Sequence, residues 1–259
     1  MMANHSLLLR TTLGALALLV CLASSADAQL ISRLAGQAVY DADRDISWIA
    51  DANLALTNQF GLALSGSQFD STPNTVGSTG LMTWDNANAW IAGMNAANYL
   101  GFNDWRLPVT AVPDINCTGD DAATTPVAGP PGFHCTGSEM GHLVYDEFGG
   151  TPGTDLMLTA DPIELAKFTN LGPGVSHFSW SSTEWALSPV EFAWAFEFGN
   201  GQESNNAKVN SLFAIAVRSG DVGAAAPVPA IGLPGLIIMT IGLLASGAVA
   251  MLGREKRGR

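Results

Sequence analysis

Of the 259 residues, 23 are acidic and 11 basic, and the imbalance is concentrated between two apolar ends: residues 29–230 hold six basic residues (Arg33, Arg44, Arg106, Lys167, Lys208 and Arg218) against 21 acidic ones, a net charge of −15. A surface of that sign excludes nucleic acid as a partner, because a phosphate backbone is held by a basic footprint that displaces counterions. The intervening stretch is long enough for one large domain with its own core.

In chain order, residues 1–28 read as a signal peptide. Arg10 precedes an apolar run from Leu13 to Ala23, and Ala26-Asp27-Ala28 has the small-x-small pattern of a cleavage site, so Ala28 is expected to be removed and Gln29 to begin the mature chain. Residues 29–223 then form the expected ectodomain. "AVYDADRDISWI" predicts a strand, a tight acidic turn and a second strand over Ile46–Ile49. Asp41, Asp43 and Asp45 in that turn have the alternate spacing of the first ligands of a calcium loop, although Ile46 and Ala52 stand where such a loop needs Gly and Glu. From Leu56 to Leu81 the composition is that of a surface loop.

"TWDNANAWIAGMNAAN" changes the period. Trp84, Ala87, Trp90 or Ile91, and Met94 recur at three and four, with Thr83 placed to cap, which predicts an amphipathic helix whose bulky face is core. Pro108 ends that region. Cys117 and Cys135, the two cysteines left after signal removal, are an even count in an exported chain and predict a disulfide closing the long loop between the helices. "GSEMGHLVYDEFGG" predicts the second helix, capped by Ser138, with Met140, Leu143, Val144 and Phe148 on one face and a stop at Gly149-Gly150. On its polar face Glu139, His142 and Asp146 are spaced so that their side chains can meet, a pattern that suits either a metal site or a wet helix face.

The last third, "HFSWSSTEW", "FAWAFEFGNG" and "SLFAIAVRSG", predicts three strands, with a turn at Asn200-Gly201. Two helices followed by these strands point to an α+β domain with a mainly antiparallel sheet. Strand alternation sends Trp180, Ser182 and Glu184 to one face and Ser181, Thr183 and Trp185 to the other. An exposed ring beside hydroxyl and carboxylate groups is a workable way to hold a sugar or a peptide edge, and the polar loop from Asn200 to Asn210, which includes Asn205, suits ligand recognition. Without such a ligand, the same residues form a half-buried strand and a solvated loop. No nucleophile elbow and no phosphate-cradling loop occurs.

Residues 224–230, "AAAPVPA", form a small-residue and proline linker, 231–252 an uncharged run long enough for a transmembrane helix, and 253–259 a basic tail retained on the cytoplasmic side. The segments "SWIADANLA", "MTWDNANAWIAGMNAANYLGFNDWRLP", "CTGSEMGHLVYDE", "WSSTEW", "AWAFEFGNG" and "AVRSGD" together resemble the DUF1566 family, also described as the C-terminal domain of a Legionella collagen-like adhesin. The resemblance spans nearly all of residues 40–221. It implies a C-type-lectin-like fold and no settled activity; the sulfated glycosaminoglycans associated with the adhesin are not expected ligands of a domain at −15. The tail resembles a PEP-CTERM sorting signal, with Pro227, Val228 and Pro229 in place of its short motif. That likeness implies an exosortase-like transpeptidase as a partner and transient anchoring in the inner membrane. Release to the envelope or extracellular matrix of a Gram-negative bacterium would follow. The expected function is non-enzymatic binding or structure, with extracellular polysaccharide as the ligand class; a metal-dependent extracellular enzyme built on Glu139, His142 and Asp146 is the alternative. No cofactor is expected beyond calcium at the Asp41–Asp45 turn.

Overall fold

The computed structural model describes residues 30–118, 132–171 and 177–223. The expected signal peptide with Ala28, the sorting motif at Pro227, Val228 and Pro229, the apolar span 231–252 and the basic tail lie outside the described residues. Among the described residues, no helix is long and apolar enough to cross a membrane.

The domain is α+β, and its two larger sheets are antiparallel. In chain order the elements are β1 (Leu30–Arg33), β2 (Ala38–Asp41), β3 (Ile46–Ile49), β4 (Ala63–Leu64), β5 (Thr75–Val76), α1 (Trp84–Ala96), α2 (Glu139–His142), α3 (Leu156–Thr159), α4 (Pro162–Leu165), β6 (Phe178–Glu184), β7 (Phe192–Glu197), β8 (Gln202–Ala207) and β9 (Val217–Ser219). One sheet has the order β1-β2-β3-β9, the other β6-β7-β8. Strand β3 therefore pairs on one side with its hairpin partner and on the other with the end of the domain, Trp48 lying opposite both Val39 and Val217.

All four residues of β3 are buried, so this sheet is covered on both faces. The two-residue period of a strand divides its side chains between two cores. Val39, Ile46, Trp48, Ile215 and Val217 enter the first, with Met140, Leu143, Val144, Phe148, Phe196 and Phe198. Ala38, Ile49, Ala214 and Ala216 enter the second, with Trp90, Met94, Trp105, Leu107 and Trp180. Helix α1 supplies the second core from the face its periodicity predicts, burying Ala87, Trp90, Ile91 and Met94, and the Thr83 side chain accepts a hydrogen bond from the Asn86 N–H as an N-cap.

After β9 the chain crosses back over the sheet. The Ser47 hydroxyl donates to the Gly220 carbonyl at 2.7 Å and accepts from the Val222 N–H at 3.1 Å, and Arg33 grips Asp221 through two bonds of 2.7 Å. Both ends of the domain are thereby tied to one sheet. The Cys117–Cys135 disulfide is formed.

Several expectations are corrected. The presumed loop Leu56–Leu81 contains the short parallel pair β4–β5, with Thr75 and Val76 buried. The presumed loop Asn200–Asn210 is mostly β8, a full antiparallel partner of β7. The final segment joins that sheet only through an isolated parallel bridge of Phe213 to Ser179 of β6; its one strand, Val217–Ser219, closes on β3. Helices α3 and α4 are short, and their apolar residues are too few for a periodic signal; each is started by an aspartate cap, Asp155 and Asp161.

Because Trp48 lies at the centre of the sheet with no exposed surface, Trp48→Ala should lower unfolding free energy by about 3–5 kcal/mol, whereas removing the α1 cap in Thr83→Ala should cost about 1 kcal/mol. Urea titrations of the two variants beside the parent chain will check that ranking.

Candidate functional site

The alternation that sends Val39 into the first core places Asp41, two residues on, on the same side of β2. Helix α2 covers that side and lowers His142 toward it. At Leu143 the helix widens into a π turn over Leu143–Glu147, with the Phe148 N–H donating to the Leu143 carbonyl at 3.0 Å. An α-helical turn would carry residue 147 to another face, but the wider turn returns it beneath residue 142. Asp41, His142 and Glu147 are all buried, and one ligating atom from each lies within 4.8 Å of the others. His142 Nε2 is 3.7 Å from Asp41 Oδ2 and 3.3 Å from Glu147 Oε1, while Nδ1 is 2.8 Å from Asp146 Oδ2.

Burial alone would depress the His142 pKa; Asp41 and Glu147 outweigh it and raise the pKa to about 10. Burial pushes Glu147 up from the ordinary carboxylate range, His142 opposing it. The imidazole lies among the carboxyl groups of Asp41, Asp146 and Glu147.

The expected trio of Glu139, His142 and Asp146 does not form. His142 and Asp146 meet, but Glu139 is turned away to Arg106, which binds both its oxygens at 2.6 and 2.7 Å, and it also accepts from the Val109 N–H. The expected grouping of Asp41, Asp43 and Asp45 is not present either. Asp41 points into the core, Asp43 is exposed, and Asp45, at φ +50°, accepts from the Tyr40 hydroxyl, because the tight turn aims the three carboxylates in different directions. Sequence reasoning missed Glu147. Its neighbours Val144 and Phe148 were visible as core residues, but the π turn that moves it inward has no local signature.

The predicted sugar platform is also dispersed. Strand β6 carries a register irregularity between Trp180 and Glu184, which breaks the alternation. Trp180 is fully buried, its indole N–H donating to the Met82 carbonyl, and Ser182 donates to the Pro108 carbonyl. The Asn200 side chain accepts from the Gln202 N–H in the β7–β8 turn, and Asn205 lies opposite Trp194 within the sheet. Glu184 and Trp185 lie at the other end of the hairpin and touch, through Lys208 and Phe192, the wall of a surface feature that they do not themselves line.

That feature is a cleft of about 450 Å³ between the start of α1 and the β7–β8 sheet, lined by Ser71, Thr83, Asp85, Val190, Glu191, Phe192, Ala207, Lys208 and Val209. Lys208 stands in its wall, 3.8 Å above the Trp84 ring and bonded to Glu184 and the Pro189 carbonyl at 2.6 and 2.7 Å. Trp185 packs edge-on against Phe192 behind it. Val190 and Val209 are exposed apolar rims. All six basic residues of the domain are committed in this way: Arg33 to Asp221, Arg44 to the Thr136 and Gly137 carbonyls, Arg106 to Glu139, Lys167 to Glu164, Lys208 to Glu184 and Arg218 to Asp104.

Another buried acid, Glu203, lies opposite Gly132. Burial raises the Glu203 pKa to about 8, with the Ser138 hydroxyl opposing and Asp114 adding to the rise. Glu203 Oε2 has no hydrogen-bond partner, so burial leaves its charge uncompensated. His177, stacked on Phe213 at 4.0 Å, is pushed down to about 4 by burial.

Searches against protein-family models, curated proteins and solved structures give no match to this chain. The chemistry therefore rests on the geometry above.

Between the ordinary 4.5 and about 8, the folded chain keeps the Glu203 proton that the unfolded chain releases, so this residue's contribution to stability falls as pH rises through that window. Glu203→Gln should remove that fall. Denaturation midpoints measured from pH 5 to pH 9 should decline less in the variant than in the parent chain; parallel declines would contradict the assignment.

Proposed function

We propose that the protein is an exported, non-enzymatic binding module of C-type-lectin-like shape that takes an uncharged carbohydrate in the cleft between α1 and the β7–β8 sheet. The observation that carries this reading is the cleft's composition. Its volume lies in the range of small-molecule sites, and it sets hydroxyl and carboxylate groups (Ser71, Thr83, Asp85, Glu191) beside apolar surface from Val190, Phe192 and Val209. Sugar rings present the same two faces, hydroxyls at the edge and C–H groups on the flat side.

Charge selects among glycans. Every cation of the domain is already bound to one of its own carboxylates or carbonyls, so a sulfated or carboxylated polymer finds no free counter-charge while meeting a net −15. Neutral polysaccharide avoids that field. The hairpin closed by the last strand, the two helices and the second antiparallel sheet are compatible with the lectin-like shape implied by the DUF1566 resemblance. Supporting display from a single C-terminal stalk, Arg33 near the start and Asp221 near the end are joined across the first sheet.

A glycan array probed with the mature chain tests the ligand class. Saturable binding to neutral glycans is expected. Asp85→Ala or Val190→Ser, each at an exposed rim, should weaken it about tenfold, the worth of one hydrogen bond or one apolar contact. Binding confined to sulfated glycans, or none at all, would sink the reading.

The localisation proposal has its own measurement. If residues 224–259 act as a sorting signal read by an exosortase-like transpeptidase, the native mature protein should end near Pro227–Pro229. An intact mass that still includes Arg259 in cells with an active exosortase would leave a permanent membrane anchor instead.

A further inference from the structure

We propose that Asp41, His142 and Glu147 form an enclosed structural site for a divalent zinc-type ion that joins the N-terminal hairpin to the second helix. This inference is independent of the carbohydrate reading, since the cleft and the buried cluster share no residue.

Four atoms carry it. Asp41 Oδ2, His142 Nε2 and both Glu147 carboxylate oxygens are buried and without hydrogen-bond partners, and one ligating atom from each of the three residues lies within 4.8 Å of the other two. Two carboxylates in that position are costly unless a cation is shared between them. The spacings fit such a cation. A tetrahedral ion with bonds of about 2.1 Å to nitrogen and oxygen has ligands about 3.4 Å apart, and the two distances from Nε2 are 3.3 and 3.7 Å.

The surrounding bonds leave the four atoms available. Asp146 Oδ2 accepts from His142 Nδ1 at 2.8 Å, which fixes the ring and directs the Nε2 lone pair toward the cluster, the carboxylate–histidine arrangement that supports metal-bound imidazole. Asp41 Oδ1 accepts from the Arg44 N–H at 2.9 Å, which leaves Oδ2 as the free oxygen. An imidazole nitrogen with two carboxylate groups, Glu147 binding through one or both of its oxygens, suits zinc. It does not suit calcium, which takes six to eight oxygen ligands. Because all three ligands are buried, a substrate cannot reach the ion, and the role assigned is structural. Glu139, held by Arg106, takes no part.

The test uses the full mature chain, purified without a histidine tag. Elemental analysis should find roughly one zinc per chain. Chelation should lower the melting temperature, and zinc alone should restore it. His142→Gln and Glu147→Gln should lose the metal, and Asp146→Asn, which keeps the ligands but loses the ring's support, should bind zinc about 10–100-fold more weakly. Should the ligand variants fail to fold, the zinc content of the parent chain and its chelation shift decide the matter alone. Metal-free protein whose melting is unmoved by zinc, zinc retained in folded His142→Gln, or stabilisation by calcium but not zinc would each overturn the proposal.

Discussion

The double burial of strand β3 is the constraint on which the rest of the domain depends. A strand covered on one face can leave its polar residues in water, but β3 has no wet face, and neither side of its sheet can be left unpacked. One side is filled by α2 with Phe196 and Phe198, the other by α1 and the tryptophans around it. Removing either layer would expose a full sheet face, so the two cores are stable only together. Pairing of β9 with β3 is what makes this possible, because it gives β3 a second hydrogen-bonded neighbour from the far end of the domain.

The same alternation has an electrostatic consequence. Val39 must face the first core, so Asp41 must face it too, and a carboxylate arrives among apolar side chains where it has to be answered. His142 and the π turn answer it from the opposite layer. The metal site inferred for this cluster is thus tied to the packing of the sheet. Elsewhere the acids outnumber the cations so far that each basic residue is drawn into a local tie, several of them linking segments more than a hundred residues apart, such as Arg33 with Asp221 and Arg218 with Asp104. Such partly exposed pairs contribute little stability individually. Together they leave none of the six basic residues without a carboxylate or carbonyl partner.

Much of the fold was legible where the signal is local. Helix α1, its Thr83 cap and its buried face followed from spacing alone, as did the β2–β3 hairpin and the Asn200-Gly201 turn. Strand β8 was not legible. "QESNNA" has no apolar alternation because β8 lies at the edge of its sheet, and its place is secured by backbone hydrogen bonds to β7 that any side chain permits. The candidate site was half legible: Asp41, His142 and Asp146 stood out by type and spacing, but in two separate groupings, each with members that the structure sends elsewhere.

By itself the sequence determined the elements whose period and capping lie within a few residues, the pairing of Cys117 with Cys135, and the sign of the surface. The tertiary structure alone decided that β9 closes on β3, that Glu139 turns to Arg106, and that Asp41 meets His142 and Glu147. Those outcomes depend on which faces are left to be covered once the chain has packed, and no window of neighbouring residues contains that information.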